Sequence, residues 1–515
     1  MKKILYMIVA LAVVAVLQSC DKNFGELEQN QNRPAKVPPG TVLNSVLNDI
    51  YLQPWSLEHR QNQFWCCNYN YYGTNEYWSN ASFNYQTLKN VLKMEEEAKS
   101  SGGGVVNPYS ALGKFFRAYY FVQMSYKVGD IPLTEALKGL ENIRPVYDNQ
   151  KQVYLSALNW LEEANSDLAT LIANNDRTLA GDFMLGNDLV KWRRVVNSYK
   201  LRVLLSLSKK ESDADLSIKA KFAAILADPA KYPLMTGSSD NLKYVYNGTT
   251  NLYPTNPGNK GFDKNRYNMA ATYISLLTTL QDPRVFVVAN PSKKKLAEAV
   301  PANSFAAFVG ASSGESLDDM STNAQLGAYS YANQKRYYGS FVGPEPAVLI
   351  AHWEQCFNIA EGINRGWAPG NAQTYYNLGI TSSMAFYGIE EGTVITITES
   401  DNDAVVGSYA ASLTTYLGQP SVAYAGGATG LTQILQQKYL AFFQNSGSEA
   451  YLNFRRTGVP TFLTGPGTGN GGLIPRRWLY PLAEKTNNSA NYNSTVTTQF
   501  GTTAESLNTD IWIVK

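Results

Sequence analysis

Three segments of the chain repeat apolar residues at the spacing of an amphipathic α-helix. Apolar side chains recur at i, i+3, i+4 and i+7 over residues 112–119, 154–168 and 192–203. Each segment therefore presents a broad apolar face that must be buried against a neighbouring element. The small residues Ala118 and Ala157 lie among these apolar positions and would let two helices approach closely. The pattern predicts helical hairpins similar to tetratricopeptide units, although no regular 34-residue repeat is visible.

The pattern becomes irregular after Pro229, and loops rich in Asn, Gly and Thr are expected around 247–261. Further helices are predicted over four segments, 273–280, 347–361, 372–387 and 433–444. A weak alternation over 394–398 predicts a short strand, and mostly loop is expected after Gly458. No break in composition marks a boundary. The prediction is therefore one mainly α-helical (all-α) domain over residues 41–515, with long irregular loops and little strand.

The N-terminus carries a separate signal. Lys2 and Lys3 precede an apolar run of about 14 residues, too short to cross a hydrocarbon core about 30 Å thick. Residues 1–19 are therefore predicted to be a secretory signal peptide. The sequence Leu-Gln-Ser-Cys that ends at Cys20 resembles a bacterial lipobox, although glutamine is large for its position. We expect Cys20 to be lipidated, with several acyl chains as a stable anchor and residues 20–40 as a polar, proline-rich tether.

Charge and composition exclude some partners. Lys and Arg number 44 against 42 Asp and Glu, so the chain has no basic footprint for nucleic acid. Charged residues make up only 17% of the chain, and 34 tyrosines are present, so much of the polarity is uncharged. Such a surface favours neutral, hydroxylated ligands over ionic ones.

Cysteine and acidic residues are the candidates for disulfide and metal sites. A disulfide from Cys356 to Cys66 or Cys67 is left open, but three thiols cannot all pair. Only two histidines occur and there is no C-x-x-C, so no zinc site is predicted. No cofactor is expected. Calcium is the one ion left open, because acidic residues alternate over a short span without the glycine and distal glutamate of a calcium loop. These residues are Glu399, Asp401 and Asp403.

One motif suggests catalysis but lacks its partners. Residues 310–314 match G-x-S-x-G with Ser312 at the centre, a pattern typical of a nucleophile elbow. Only His352 follows it, and no acid and histidine are placed to complete a triad. We therefore predict that the chain is not an enzyme. A secreted hydrolase is the least favoured alternative.

An aromatic segment, residues 55–85, is the best candidate binding site. Rings can stack on the C–H faces of sugars while amide and hydroxyl groups bind the hydroxyl rim. Any single ring in this segment is nevertheless more often a core residue than a ligand contact. The selected residues are those interleaved with Asn68, Asn70, Asn75 and Asn80, namely Trp65, Tyr71, Tyr72 and Trp78. Arg266 and Tyr267, from a later loop, are secondary candidates.

Short motifs occur in a fixed order along the chain, namely Gly129–Pro132, Pro145–Asp148, Asn197–Arg202, Asp282–Arg284, Glu361–Gly362, Gln437–Tyr439, Phe454–Pro460 and Ile474–Arg477. Together they resemble the SusD/RagB lipoprotein family, in particular its second SusD-like branch. Gly362 departs from the family pattern, where a second alanine is expected.

The resemblance implies an outer-membrane lipoprotein of tetratricopeptide-like helices with a SusC-like TonB-dependent barrel as partner. It further implies that substrate is held between the two proteins at the cell surface. Most members bind glycans, so an oligosaccharide is the expected ligand. Uptake of a peptide or another oligomer, as in RagB relatives, remains the alternative. Motifs such as the one around Arg456 are expected to be structural, holding loops onto the helices.

Overall fold

The computed structural model describes residues 3–4 and 36–515 of the chain. The predicted cleavage and lipidation site at Cys20, most of the signal peptide and most of the tether lie outside the described residues. The helices are α1 (Pro39–Ile50), α2 (Leu57–Gln61), α3 (Tyr85–Ser100), α4 (Pro108–Val128), α5 (Gln150–Ala173), α6 (Leu189–Ser206), α7 (Ile218–Ala227), α8 (Lys260–Asp263), α9 (Ala271–Thr279), α10 (Arg284–Val288), α11 (Lys293–Ala297), α12 (Leu317–Gln325), α13 (Gln334–Tyr338), α14 (His352–Asn364), α15 (Ala372–Phe386), α16 (Leu413–Gly418), α17 (Gly427–Ala441), α18 (Glu449–Thr457), α19 (Leu482–Asn487) and α20 (Ser489–Phe500). The strands are β1 (Trp65–Cys67), β2 (Leu242–Tyr244), β3 (Tyr267–Met269), β4 (Ala347–Ile350), β5 (Val394–Thr398) and β6 (Val405–Ala410).

The long helices form a continuous scaffold. Helices α1, α3, α4, α5 and α6 each pack against the next, and α6 also packs against α14. Helix α14 then packs against α15 and α17. The apolar faces predicted from periodicity line these contacts, and residues such as Phe115, Leu161 and Trp192 are fully buried. The mainly α-helical fold with little strand is confirmed.

Local sequence explains where the scaffold helices begin. Asn107 accepts a hydrogen bond from the backbone N–H of Ser110, and the Ser110 hydroxyl accepts one from the backbone N–H of Asn107. This reciprocal capping satisfies N–H groups that a helix start leaves unpaired, and Pro108 suits the first helical position. Asn149 and Asp188 cap α5 and α6 through their side chains.

One predicted boundary is wrong, and one region predicted as mostly loop contains helices that the prediction did not give. Residues 347–350, predicted as the start of a helix, form strand β4, which pairs with β2 before α14 begins at His352. A four-residue apolar run fits either element, and a strand partner about 100 residues away decides between them. The region after Gly458, predicted as mostly loop, contains α19 and the 12-residue helix α20. That helix buries only Tyr492, Thr495 and Val496, so its sequence carries little apolar periodicity.

Buried ion pairs connect the helices, and they involve residues of the family-like motifs. Arg202 on α6 donates to Glu354 on α14 through Nε (2.6 Å), and its Nη2 donates to the Leu349 carbonyl of β4 (2.7 Å). Arg456 on α18 forms a two-pronged pair with Glu361 on α14, at 2.5 and 2.9 Å. Paired in this way, buried charges are tolerated, and they specify which helices meet. The contacts of Arg456 agree with the structural role expected for its motif.

A close contact with a neighbouring ring accounts for the glycine at position 362. A Cβ atom built on Gly362 would lie 2.2 Å from the ring of Phe222, which projects from α7 onto α14. Real Cβ atoms do not approach a ring so closely, so an alanine here requires the ring to move. The departure from the family pattern therefore coincides with a local aromatic contact.

Candidate functional site

A short strand ladder brings two distant segments of the chain together. Strands β1 and β3 pair antiparallel, with Trp65 opposite Met269 and Cys67 opposite Tyr267. Because side chains alternate across a strand, these four residues share one face of the ladder. The aromatic segment that follows β1 therefore lies beside the loop that precedes β3.

Buried asparagines hold the turn that follows β1. The backbone N–H of Cys67 donates to Asn75 Oδ1 at 2.8 Å, and Asn75 Nδ2 donates back to the Cys67 carbonyl at 2.9 Å. Asn68 Nδ2 donates to the Asn265 carbonyl at 2.9 Å, which ties the turn to the loop before β3. Asn80 donates to the Tyr480 carbonyl. Three of the four interleaved asparagines are therefore engaged with backbone, and only Asn70 is exposed.

Aromatic rings on these two segments form a surface that we call the aromatic platform. It comprises Tyr69, Tyr71, Tyr72, Phe262, Arg266 and Tyr267. Tyr71 is 82% exposed and Phe262 75% exposed, which is unusual for rings with no apolar cover. The Tyr72 hydroxyl donates to the Phe262 carbonyl at 2.7 Å and so joins the two segments.

Ring contacts join the four tyrosines of the platform. The centroid of Tyr72 lies 5.2 Å from that of Tyr71 and 6.3 Å from those of Tyr69 and Tyr267. The Arg266 guanidinium lies 4.6 Å from the centroid of Tyr69, in a cation–π contact. The sequence-selected residues Tyr71, Tyr72, Arg266 and Tyr267 are thus brought together.

The turn at the platform requires a glycine. Gly73 has φ +109°, a conformation that L side chains rarely adopt. A Cβ at this position would also lie 2.9 Å from the guanidinium of Arg60. Arg60 Nη1 donates weakly to the Tyr72 carbonyl at 3.4 Å. The close approach of Arg60 thus supports the turn that presents Tyr71 and Tyr72.

Trp65 lies beneath the platform rather than on it. Its side chain is 3% exposed and packs against Tyr267, with ring centroids 4.6 Å apart. Arg60 covers it at 5.2 Å, and its indole N–H is buried without an acceptor among the described residues. In this arrangement Trp65 supports Tyr267 and cannot itself stack on a ligand.

Trp78 lies in a separate aromatic contact. It stacks on Trp478 with centroids 3.7 Å apart and an interplanar angle of 8°, and its edge meets Tyr451. Its indole N–H donates to the Arg477 carbonyl at 3.2 Å. These contacts engage one face and the polar edge of the ring, so the geometry assigns Trp78 a packing role.

Two platform residues, Tyr69 and Phe262, are not among the site residues selected from the sequence. Tyr69 belongs to the same aromatic segment, but nothing in the sequence distinguishes it from the neighbouring rings. Phe262 is one aromatic residue within a polar loop, and its exposure, which would have marked it as a site residue, cannot be read from the sequence. The nearby pair Arg266 and Tyr267 was the only indication that this loop approaches the site.

The residues considered for hydrolysis do not assemble. His352 faces Ser382 through Nδ1 (3.1 Å) and Cys356 through Nε2 (3.7 Å), whereas the Ser312 hydroxyl accepts the backbone N–H of Gly314. The other histidine, His59, is fully buried, and neither of its ring nitrogens has a hydrogen-bond partner among the described residues. Burial raises the pKa of the Cys356 thiol to about 12 and lowers the pKa of His352, so these two residues do not form a thiolate–imidazolium pair.

Two of the three acids that left calcium open, Asp401 and Asp403, are engaged by lysines. Asp401 pairs with Lys293 and Asp403 pairs with Lys260. Within residues 36–515, no three His, Cys, Asp or Glu side chains are grouped so that they could hold a metal ion. The sequence left open a disulfide from Cys356 to Cys66 or Cys67. In the structure Cys66, Cys67 and Cys356 are all buried free thiols.

A second concavity lies away from the platform. It has a volume of about 450 Å³ and is lined by residues that include Phe286, Asn333, Arg336 and Tyr387. Its buried polar groups are already satisfied, because Asn333 donates to the Val287 carbonyl and Arg336 pairs with Glu345. The platform, with open rings and an open guanidinium, is the better candidate site.

Among the described helices, none is both long and apolar enough to cross a membrane. A helical scaffold that presents an exposed aromatic surface is typical of a binding protein. Residues 31–481 match the SusD-like family model described as starch-binding and associating with the outer membrane, and the chain belongs to this family.

Solved structures agree with this assignment. A SusD homologue from Bacteroides fragilis NCTC 9343 is 30% identical with a TM-score of 0.80, and the alignment covers 93% of this chain and 100% of that one. A second SusD homologue from the same strain is 29% identical with a TM-score of 0.77, over the same shares of the two chains. A chitin-binding SusD homologue from Flavobacterium johnsoniae is 19% identical with a TM-score of 0.68, covering 93% and 98%. That last match shows the fold alone. No curated protein matches the sequence.

Proposed function

We propose that the protein is an outer-membrane lipoprotein that binds an oligosaccharide on the aromatic platform and delivers it to a SusC-like TonB-dependent barrel. The observation that carries the proposal is the platform itself, with three exposed rings and one open guanidinium on a rigid helical scaffold. Exposed rings of this kind bury the C–H face of a sugar at little conformational cost. The family description, starch-binding and associating with the outer membrane, supports a glycan over a peptide.

The proposed anchor and the proposed partner are supported by the N-terminal sequence and by the family, respectively. The lipobox-like sequence ending at Cys20 supports attachment of the mature chain to the membrane by acyl chains. Helix α1 begins at Pro39, so a tether of about 20 residues would separate the lipid from the scaffold. A tether of this length lets the binding surface face a barrel in the same membrane. The surface location and the SusC-like partner are part of the proposal.

A binding assay with the mature protein tests the identity of the ligand. The protein should be applied to an array of oligosaccharides and peptides, and the affinity for each compound that binds should be measured by isothermal titration. Tyr71→Ala and Phe262→Ala should each weaken glycan binding about fivefold to tenfold, because each removes about 1–1.5 kcal/mol of aromatic contact. Phe183→Ala is the matched control, since Phe183 is also an exposed phenylalanine but packs on Tyr244 away from the platform.

The outcomes separate the alternatives. Equal affinity in Tyr71→Ala, Phe262→Ala and the parent protein would reject the platform as the site. Capture of peptides without any sugar would favour uptake of peptides instead. Fatty-acid labelling that is unchanged by Cys20→Ala would reject the anchor, and failure to copurify with a SusC-like barrel from membranes would reject the partnership.

A further inference from the structure

Two arginines at the aromatic platform have no acidic partner. Within the described chain, no Asp or Glu carboxylate lies within salt-bridge distance of Arg60 or Arg266. Both guanidinium groups instead lie against rings, Arg60 over Trp65 and Arg266 over Tyr69. The platform therefore carries positive charge that the protein itself does not neutralise.

The acids that approach the loop carrying Arg266 are engaged elsewhere. Asp403 pairs with Lys260, and Asp401 pairs with Lys293. Asp263 is buried, and its Oδ1 accepts no hydrogen bond from any described residue, the two arginines included. None of these carboxylates compensates the two arginines.

The two arginines differ in accessibility. Arg266 is only partly buried, and no described residue accepts a hydrogen bond from its guanidinium nitrogens, so these donors are open to a ligand. Arg60 lies below the turn at Gly73, where burial lowers its pKa, and its Nε is sealed from solvent without a partner. A cation in such a poorly solvated position is stabilised by an anion bound above it.

We propose that the platform selects acidic glycans, with Arg266 binding the carboxylate of a uronate while Tyr71 and Phe262 stack on neighbouring sugar rings. This inference rests on the proposed function and specifies the chemical class of its ligand. It also differs from the expectation drawn from composition, because the low overall charge favours neutral ligands whereas the local charge at the platform does not. Guanidinium groups bind carboxylates through paired N–H donors, and such charge-assisted bonds are about twice as strong as neutral ones.

Matched probes can isolate the contribution of charge. The mature protein should be titrated with oligomers of galacturonate, glucuronate and mannuronate, each compared with its own methyl ester, which keeps the ring and removes the charge. At least one acid should bind about tenfold or more tightly than its ester, and added salt should reduce this preference. Arg266→Gln should remove most of the preference, because it should weaken binding of the acid much more than binding of the ester. Arg177→Gln, at an exposed arginine on the loop after α5, should change neither.

The result distinguishes failure of this inference from failure of the proposed function. If neutral sugars or esters bind as tightly as the acids, and Tyr71→Ala weakens them all, the selection for acidic glycans is overturned and the glycan platform stands. The same holds if an acid is preferred but Arg266→Gln leaves that preference intact, because the residue assignment is then wrong. If no acidic or neutral glycan binds, both proposals are overturned.

Discussion

Replacing Arg456 by methionine removes the main countercharge of a carboxylate that has no contact with solvent. Glu361 is 0% exposed and receives two hydrogen bonds from Arg456, with Arg365 as a further partner at 2.8 Å. Burial by itself would raise the pKa of Glu361, but the charge and hydrogen bonds of Arg456 outweigh burial and lower the pKa to about 2. The ordinary value is 4.5, and the difference corresponds to about 3 kcal/mol of favourable interaction.

The expected loss for Arg456→Met is therefore about 3–4 kcal/mol in the free energy of unfolding at pH 7, within the range for broken buried pairs. Arg365 remains to limit the loss. Guanidinium denaturation of the mature protein measures it, with Arg476→Met as the matched control. Arg476 pairs with Asp510 at 2.7 Å, but both side chains are about one third exposed, so that pair should contribute less than about 1 kcal/mol.

The pH dependence gives an independent check. A carboxylate whose pKa is lower in the folded state contributes stability that is present above its ordinary pKa and is lost as pH falls. The parent protein should therefore lose this contribution between about pH 4.5 and 2, and Arg456→Met should show a smaller change over that window. Adding Glu361→Met to Arg456→Met should restore much of the stability. Similar losses in Arg456→Met and Arg476→Met would refute the reasoning.

Three further predictions concern packing and thiols. Gly362→Ala should reduce the free energy of unfolding by about 1–3 kcal/mol, because its Cβ meets the Phe222 ring, and adding Phe222→Leu should recover part of the loss in the same denaturation assay. No loss in Gly362→Ala would show that the ring moves freely. Trp78→Ala should reduce stability by about 3 kcal/mol while ligand affinity of the folded protein is unchanged by titration, and a selective loss of affinity would place this ring in the site. The three buried cysteines should resist thiol reagents in the native protein, because burial hides each thiol and raises its pKa. All three should react after unfolding without reductant, and a thiol that stays unreactive after unfolding would indicate a disulfide.

The scaffold could be predicted because its helices carry long, regular apolar faces. The faces around Phe115, Leu161 and Trp192 are repeated over two or more turns, and each is buried as expected. Prediction failed where the local pattern was short or polar. The apolar residues of β4 suit a strand or a helix, and α20 buries too few apolar residues to show a period.

The candidate site could be predicted only in part, because its residues come from segments joined by non-local pairing. Aromatic density identified Tyr71 and Tyr72, but the pairing of β1 with β3 decides that Phe262 lies beside them. Trp78 shows the opposite case. Its stacking partner, Trp478, is 400 residues away in sequence, so nothing local distinguishes this packing ring from an exposed one.

The three-residue ladder of β1 and β3 has a consequence for engineering this receptor. It registers Cys67 against Tyr267, so the two segments that carry the platform are aligned with each other by backbone hydrogen bonds before any side chain is considered. Transplanting one segment from a homologue would leave the other in place with mismatched ring contacts. Chimeras that exchange both segments together, with the ladder kept intact, are the ones in which a new ligand preference can be transferred.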